Sequence, residues 1–210
     1  NVVAGFNMAY ELDDTYRIAH HGEHIVPPSG GGSIAKSFEM PESKLVVYDE
    51  GGVRVTAFAV DHSPVEPSIG YRFDYGSRSV CLSGDTVRSS NLELICKDVD
   101  ILVHEALQPK FVKKLEDANR ANGNEAAAKI MFDIVDYHST PTDAAKSATA
   151  TGADMLVLNH IVPPLPTSFI YPAFLDDAPD HYNGPIIVGE DGMFFSLPSA
   201  SDAIEETTLM

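Results

Sequence analysis

Four apolar runs in this chain each stop on a side chain able to bind a proton or a metal ion. Val55–Val60 runs into Asp61-His62, and Ser79–Leu82 stops at Ser83-Gly84-Asp85-Thr86. Ile101–Val103 runs into His104-Glu105, and Met155–Leu158 into Asn159-His160. Short apolar runs of this kind bounded by turn residues are the signature of buried strands. Strand ends are rigid and converge at one edge of a sheet, where a fold can hold ligating or catalytic groups in fixed geometry. The pattern therefore predicts an α/β sheet with one functional edge.

The segments between the runs fit that reading. Asp49-Glu50-Gly51-Gly52 and Gly76-Ser77 are hairpin signals on either side of Ile69–Tyr75. Helical spacing follows over Asn91–Lys97, Lys110–Arg120 and Glu125–Val135. The strongest helix start is Thr140-Pro141-Thr142-Asp143, with a Thr cap, Pro at the first position and an acid in the first turn. Its alanine-rich body ends at Gly152. Pro185–Val188 and Met193–Leu197 are expected to form a final hairpin around Glu190-Asp191-Gly192, with a frayed tail from Pro198. Residues 1–43, rich in Gly, Pro and polar groups, are expected to be a loop-rich insertion within a single domain spanning 1–210.

Composition narrows the partners. Lys and Arg total 14 against 31 Asp and Glu, a formal charge of −17. Such a surface repels phosphate backbones, which disfavours a large nucleic-acid footprint and favours a small-molecule substrate. No stretch approaches the roughly 18 consecutive apolar residues of a membrane span. Cys81 lies in a buried run, and Cys96 has no CxxC or Cys-His partner nearby, so a zinc finger is excluded. The N-terminus, Asn1, carries no signal for a cytoplasmic, periplasmic or secreted location.

Taken together, His62-Ser63-Pro64, Gly70-Tyr71-Arg72-Phe73, Gly84-Asp85-Thr86, His104-Glu105-Ala106, His138-Ser139-Thr140 and Asn159-His160 resemble the metallo-β-lactamase superfamily, in the branch of tRNase Z and the arylsulfatase-like hydrolases. The resemblance spans about residues 44–162 and implies an αββα sandwich. It implies two divalent metal ions, Zn with Mn or Fe as alternatives. Of the ligands, it matches His62 to the first metal, Asp85 to the bridge between the two, and His160 to the second. It matches His138 to a proton donor at the scissile bond and Glu105 to the acid that orients His138, with His104 in a supporting role. It also implies homodimerisation.

The leading His-x-His-x-Asp-His motif of that family is absent. Its nearest approximation, Ala19-His20-His21-Gly22-Glu23-His24, does not follow an apolar strand and lies too close to His62. His20, His21 and His24 are accordingly assigned to a substrate-side insertion, and the sandwich is expected to be incomplete at its N-terminus. The acidic balance favours hydrolysis of a small sulfate or phosphate ester, arylsulfatase-like. The alternatives are a tRNase Z-like endoribonuclease acting on tRNA 3′ ends, and an inactive fragment or binding module lacking a full metal site.

Overall fold

A computed structural model describes residues 1–40 and 42–208. Within it, residues 1–39 form one compact unit and residues from Met40 onward a second.

The first unit departs from the expected loop. Val2–His21 is a 20-residue helix, α1. This stretch holds no proline and only Gly5, while Ala, Met, Leu and Glu favour helix. An Arg17–Asp13 pair one turn apart, 2.6 Å, adds to it. The helix stops at Gly22, whose φ of 82° a residue with a Cβ resists. Only the return segment is irregular, held by Asn7, whose side chain both donates to and accepts from the Ser33 backbone at 2.9 Å. His20 and His21 end the helix and His24 lies in the turn beyond, all three exposed. No helix among the described residues is long and apolar enough to cross a membrane.

The second unit is built on a seven-stranded sheet whose spatial order follows the chain. Strands β1 (Lys44–Glu50), β2 (Val53–Ala59), β3 (Ile69–Tyr75) and β4 (Arg78–Leu82) pair antiparallel, with two-residue turns after β1 and β3 and a longer loop, residues 60–68, after β2. From β4 onward the pairing is parallel, to β5 (Ile101–Leu107), β6 (Met155–Val162) and β7 (Ile186–Val188). Parallel neighbours need crossovers. These are α2 (Ser90–Ile95), then α3 (Pro109–Ala121), α4 (Glu125–Asp133) and α5 (Pro141–Thr151), then the short α6 (Tyr171–Leu175).

The predicted Thr140 cap forms, and a second cap is found at α2. Ser89 accepts from the Leu92 amide, and Thr140 with Asp143 makes a reciprocal capping box. The fully buried Ala144, Ala145 and Ala148 lie in the core with Leu102, Leu156 and Leu158, because small side chains let α5 approach the sheet closely. Each fully buried Leu contributes about 1.5–3 kcal/mol. Cys81 and Cys96, both fully buried with Cα atoms 5.8 Å apart, are joined as a disulfide that ties β4 to the end of α2.

The chain end differs from the expected hairpin. Ile186–Val188 pairs parallel with β6 instead, and β8 (Met193–Ser196) pairs with β9 (Glu205–Thr208) in a separate two-stranded sheet. The apolar Ile186-Ile187-Val188 gains more beside the buried β6 than in an exposed hairpin. The tail from Pro198, expected to fray, includes β9.

Candidate active site at the sheet edge

The four strand ends meet as predicted, and the local backbone explains how. After β2 the chain presents His62, 8% exposed, whose Nδ1–H donates to the Tyr137 carbonyl at 2.7 Å. That bond fixes the tautomer and leaves Nε2 as the free nitrogen. After β4, Gly84 adopts φ +64°, and a Cβ there would lie 2.5 Å from the Ile69 carbonyl oxygen. Only glycine fits, and the turn it makes projects Asp85 outward, with the Asp85 carbonyl accepting from the Ser68 hydroxyl at 2.6 Å.

Along β6 the ladder with β5 slips. Glu105 faces Asn159 and Ala106 faces Ile161, so His160 is an extra residue in the strand. His160 has a φ of +43°, the left-handed region. The bulge re-aims its imidazole, whose Nε2 lies 3.4 Å from Asp85 Oδ2.

Glu105 is the hub beneath these groups. It is 1% exposed, and Oε1 accepts from the Thr86 amide at 3.0 Å, the Ser139 amide at 3.1 Å and His138 Nδ1 at 2.9 Å. One oxygen thereby fixes the loop after β4 and the start of α5 and orients the His138 ring. The His138 ring in turn packs edge-on against His62 at 4.9 Å and His160 at 5.4 Å between centroids. Burial opposes charge on His138, but the hydrogen bond and charge of Glu105, with Asp85 adding, raise its pKa above the ordinary value. His104, fully buried, donates from Nδ1 to the Glu105 carbonyl at 2.8 Å and has no partner at Nε2 among the described residues. Burial holds His104 below its ordinary pKa.

All five sequence-predicted site residues thus lie at one sheet edge, in four contacts: His62 with His138, His138 with Glu105, His138 with His160, and His160 with Asp85. Three contributors escaped the sequence reading. Tyr137 acts through its carbonyl, and Thr86 and Ser139 through their amides, none of which has a side-chain signature. A cleft of about 730 Å³ beside His160, bordered by Tyr171, Glu190 and Asp191, was also missed. The Glu190-Asp191-Gly192 turn was its one signal.

The donors are those that divalent metals use, a carboxylate and free imidazole nitrogens. Yet among the described residues no group of three or more His, Cys, Asp or Glu side chains is placed to hold a metal ion. Asp85 and His160 make a two-donor fragment, too few for a metal site.

Comparison with known proteins bears on that shortfall. A family model described as "Beta-lactamase superfamily domain" matches residues 9–161. The chain belongs to this superfamily. A ribonuclease Z of Mycobacterium sp. (strain KMS) is 33% identical over 163 residues, 78% of this chain and 51% of that protein. A ribonuclease Z of Mycobacterium avium (strain 104) is 34% identical over 164 residues, 78% of this chain and 52% of that one. The metallo-beta-lactamase fold protein YhfI from Bacillus subtilis matches with a TM-score of 0.51 at 18% identity, over 80% of this chain and 54% of that chain. The last shows the fold alone. The superfamily member described here spans about half the length of the curated relatives it matches.

Proposed function

We propose that this chain carries the proton-donating part of a phosphodiester hydrolase of the ribonuclease Z type, with the 3′ end of precursor tRNA as its substrate. The observation that carries the reading is the pair His138–Glu105. A buried carboxylate holds Nδ1 of the imidazole, leaving Nε2 as the nitrogen available to a reacting group beside His62 and His160. Such a donor serves poor leaving groups best. A ribose alkoxide needs a proton to depart, whereas the phenolate of an aryl sulfate, with a conjugate acid near pKa 10, leaves far more easily. The relatives named ribonuclease Z support the same choice, and none of those described supports the small-ester reading that the net charge favoured.

Divalent metals, when bound, would supply an acidic water as nucleophile. Asp85, His160 and His62 are the side chains this chain would offer them. The chain's own tasks are narrower. Glu105 holds His138 in its tautomer and orientation. His138 delivers the proton to the departing oxygen. The cleft by Tyr171 and Glu190 receives the substrate flank.

The test takes a protein of its relatives' full length that includes these residues, supplies it with Zn²⁺ or Mn²⁺, and compares a precursor tRNA, an aryl phosphodiester and an aryl sulfate. Cleavage of the two phosphodiesters, lowered about 10²–10⁴-fold by His138→Ala, is the expected result. Faster turnover of the aryl sulfate would overturn it. A second reading, a module without activity of its own, is favoured because among the described residues no three donors are grouped to hold a metal ion. Two equivalents of tightly bound metal on the purified chain would rule that out.

A further inference from the structure

The cleft beside His160 is placed by one close backbone contact. The Gly189 amide donates to the Leu158 carbonyl at 2.8 Å, tying the turn after β7 to β6 two residues before His160. A Cβ at Gly189 would lie 2.6 Å from that carbonyl oxygen, so the approach requires glycine. Glu190, the next residue, is thereby carried to the cleft wall, where the Tyr171 hydroxyl donates to Glu190 Oε1 at 2.5 Å. That bond holds the carboxylate in place and leaves Oε2 as an acceptor.

Two observations select the ligand. Among the described residues that line the cleft there is no lysine or arginine, so a phosphate finds no counter-charge there. The lining offers hydrogen-bond acceptors and apolar surface instead, the latter from Ile161, Leu165 and Val188. Independently, Phe169 is 89% exposed on the turn Ser168–Ile170, between Ser168 and Tyr171, which both line the cleft. A bare aromatic ring in that place is a platform for a flat partner, and every nucleobase has such a face.

We propose that this cleft is a ribonucleoside subsite, in which Glu190 accepts from a ribose 2′-hydroxyl and Phe169 stacks on the attached base. The proposal rests on the ribonuclease Z-type reading, and it assigns the subsite to the nucleoside whose 3′ oxygen departs. His138 gives its proton to that oxygen, and the His138 ring lies 5.4 Å from that of His160, which lines the cleft. A ribose bonded to the departing oxygen therefore reaches the cleft first, with its 2′-hydroxyl on the adjacent carbon. Recognition through hydroxyl and base also suits a chain of charge −17, whose surface repels phosphates.

The experiment takes the full-length protein of the activity test, strips it of metal so that nothing is cleaved, and measures fluorescence anisotropy with labelled tetranucleotides. An all-ribose strand should bind about tenfold more tightly than its 2′-deoxy or 2′-fluoro counterpart, neither of which can donate from that position. The 2′-fluoro strand keeps the sugar pucker of RNA, so it separates hydrogen bonding from shape. Glu190→Ala should erase the preference, and Phe169→Ala should weaken ribose and deoxy strands alike, about tenfold. Both side chains are exposed, and unchanged circular dichroism would show that the fold survives. Absence of binding, equal affinity for the three strands, a preference that survives Glu190→Ala, or an unaltered Phe169→Ala would each overturn the proposal. Ribose preference without cleavage once metal is restored would overturn the hydrolysis reading alone. Cleavage without ribose preference would overturn this one alone.

Discussion

His160 and Asp85 face each other at 3.4 Å because left-handed backbone aims each of them: His160 itself at φ +43°, and Gly84 immediately before Asp85 at φ +64°. The two positions respond oppositely to substitution. His160→Gly should raise stability by about 1 kcal/mol, since glycine adopts this φ without penalty, while removing the imidazole. Gly84→Ala should lower stability by about 2 kcal/mol through strain and the clash with Ile69. Asp85→Ala, at a half-exposed side chain, should leave stability within about 0.5 kcal/mol and abolish turnover in the complete enzyme. Urea denaturation of the three variants decides the signs, and a destabilised Asp85→Ala would make Asp85 a turn residue only.

Glu105 should separate size from charge. Glu105→Ala strips the partner from two buried amides and from His138, and an expected loss of about 3 kcal/mol follows. Glu105→Gln keeps an oxygen for the amides and should cost about 1 kcal/mol. Equal losses, measured by thermal or urea unfolding, would mean that the amide contacts contribute little.

His104 gives the fold a pH dependence. Burial pushes its folded pKa below the unfolded value, against weaker pulls from the Glu105 carbonyl and the charges of Glu105, Asp143 and Glu93. The folded state therefore binds fewer protons than the unfolded chain below about pH 6.5. Stability contributed by neutral His104 is complete above that pH. It falls as the pH drops toward the folded pKa, with a limiting slope of about 1.4 kcal/mol per unit. Urea midpoints against pH for the wild type and His104→Leu should diverge in this acid window. Parallel curves would show that His104 is not titrating.

The Cys81–Cys96 bridge closes a loop with a sequence separation of 15, for which chain entropy predicts about 3 kcal/mol. Reductant should lower the melting temperature of the wild type and leave that of Cys81→Ala/Cys96→Ala unchanged. Identical melting with and without reductant would show that the bridge contributes nothing.

Much of this site is visible in the sequence because its side chains sit where apolar runs end. A run that ends on His or Asp names both the strand and the edge, which is why His62, Asp85, Glu105 and His160 could be placed together. Backbone contributions are invisible by the same logic. The amides of Thr86 and Ser139 serve Glu105 whatever their side chains are, and the Tyr137 carbonyl would hold His62 from any residue. The last strands were misjudged because Ile186–Val188 suits a hairpin and a buried parallel neighbour equally well, and only tertiary pairing with β6 decides. The helix Val2–His21 was misjudged because the Gly- and Pro-rich segment after it dominated the composition. Cysteine pairing stayed hidden since 15 residues of spacing fit many folds.

The extra residue in β6 has a consequence for how such a chain can change. Side chains alternate between faces along a strand, so one residue removed between Leu158 and Ile161 would restore the regular ladder and return position 160 to the pleat. The imidazole would then be aimed at a sheet face instead of at Asp85, with every residue type intact. In this stretch the number of residues is under tighter constraint than most of their identities, and a single-codon deletion there should be as damaging as losing the histidine itself.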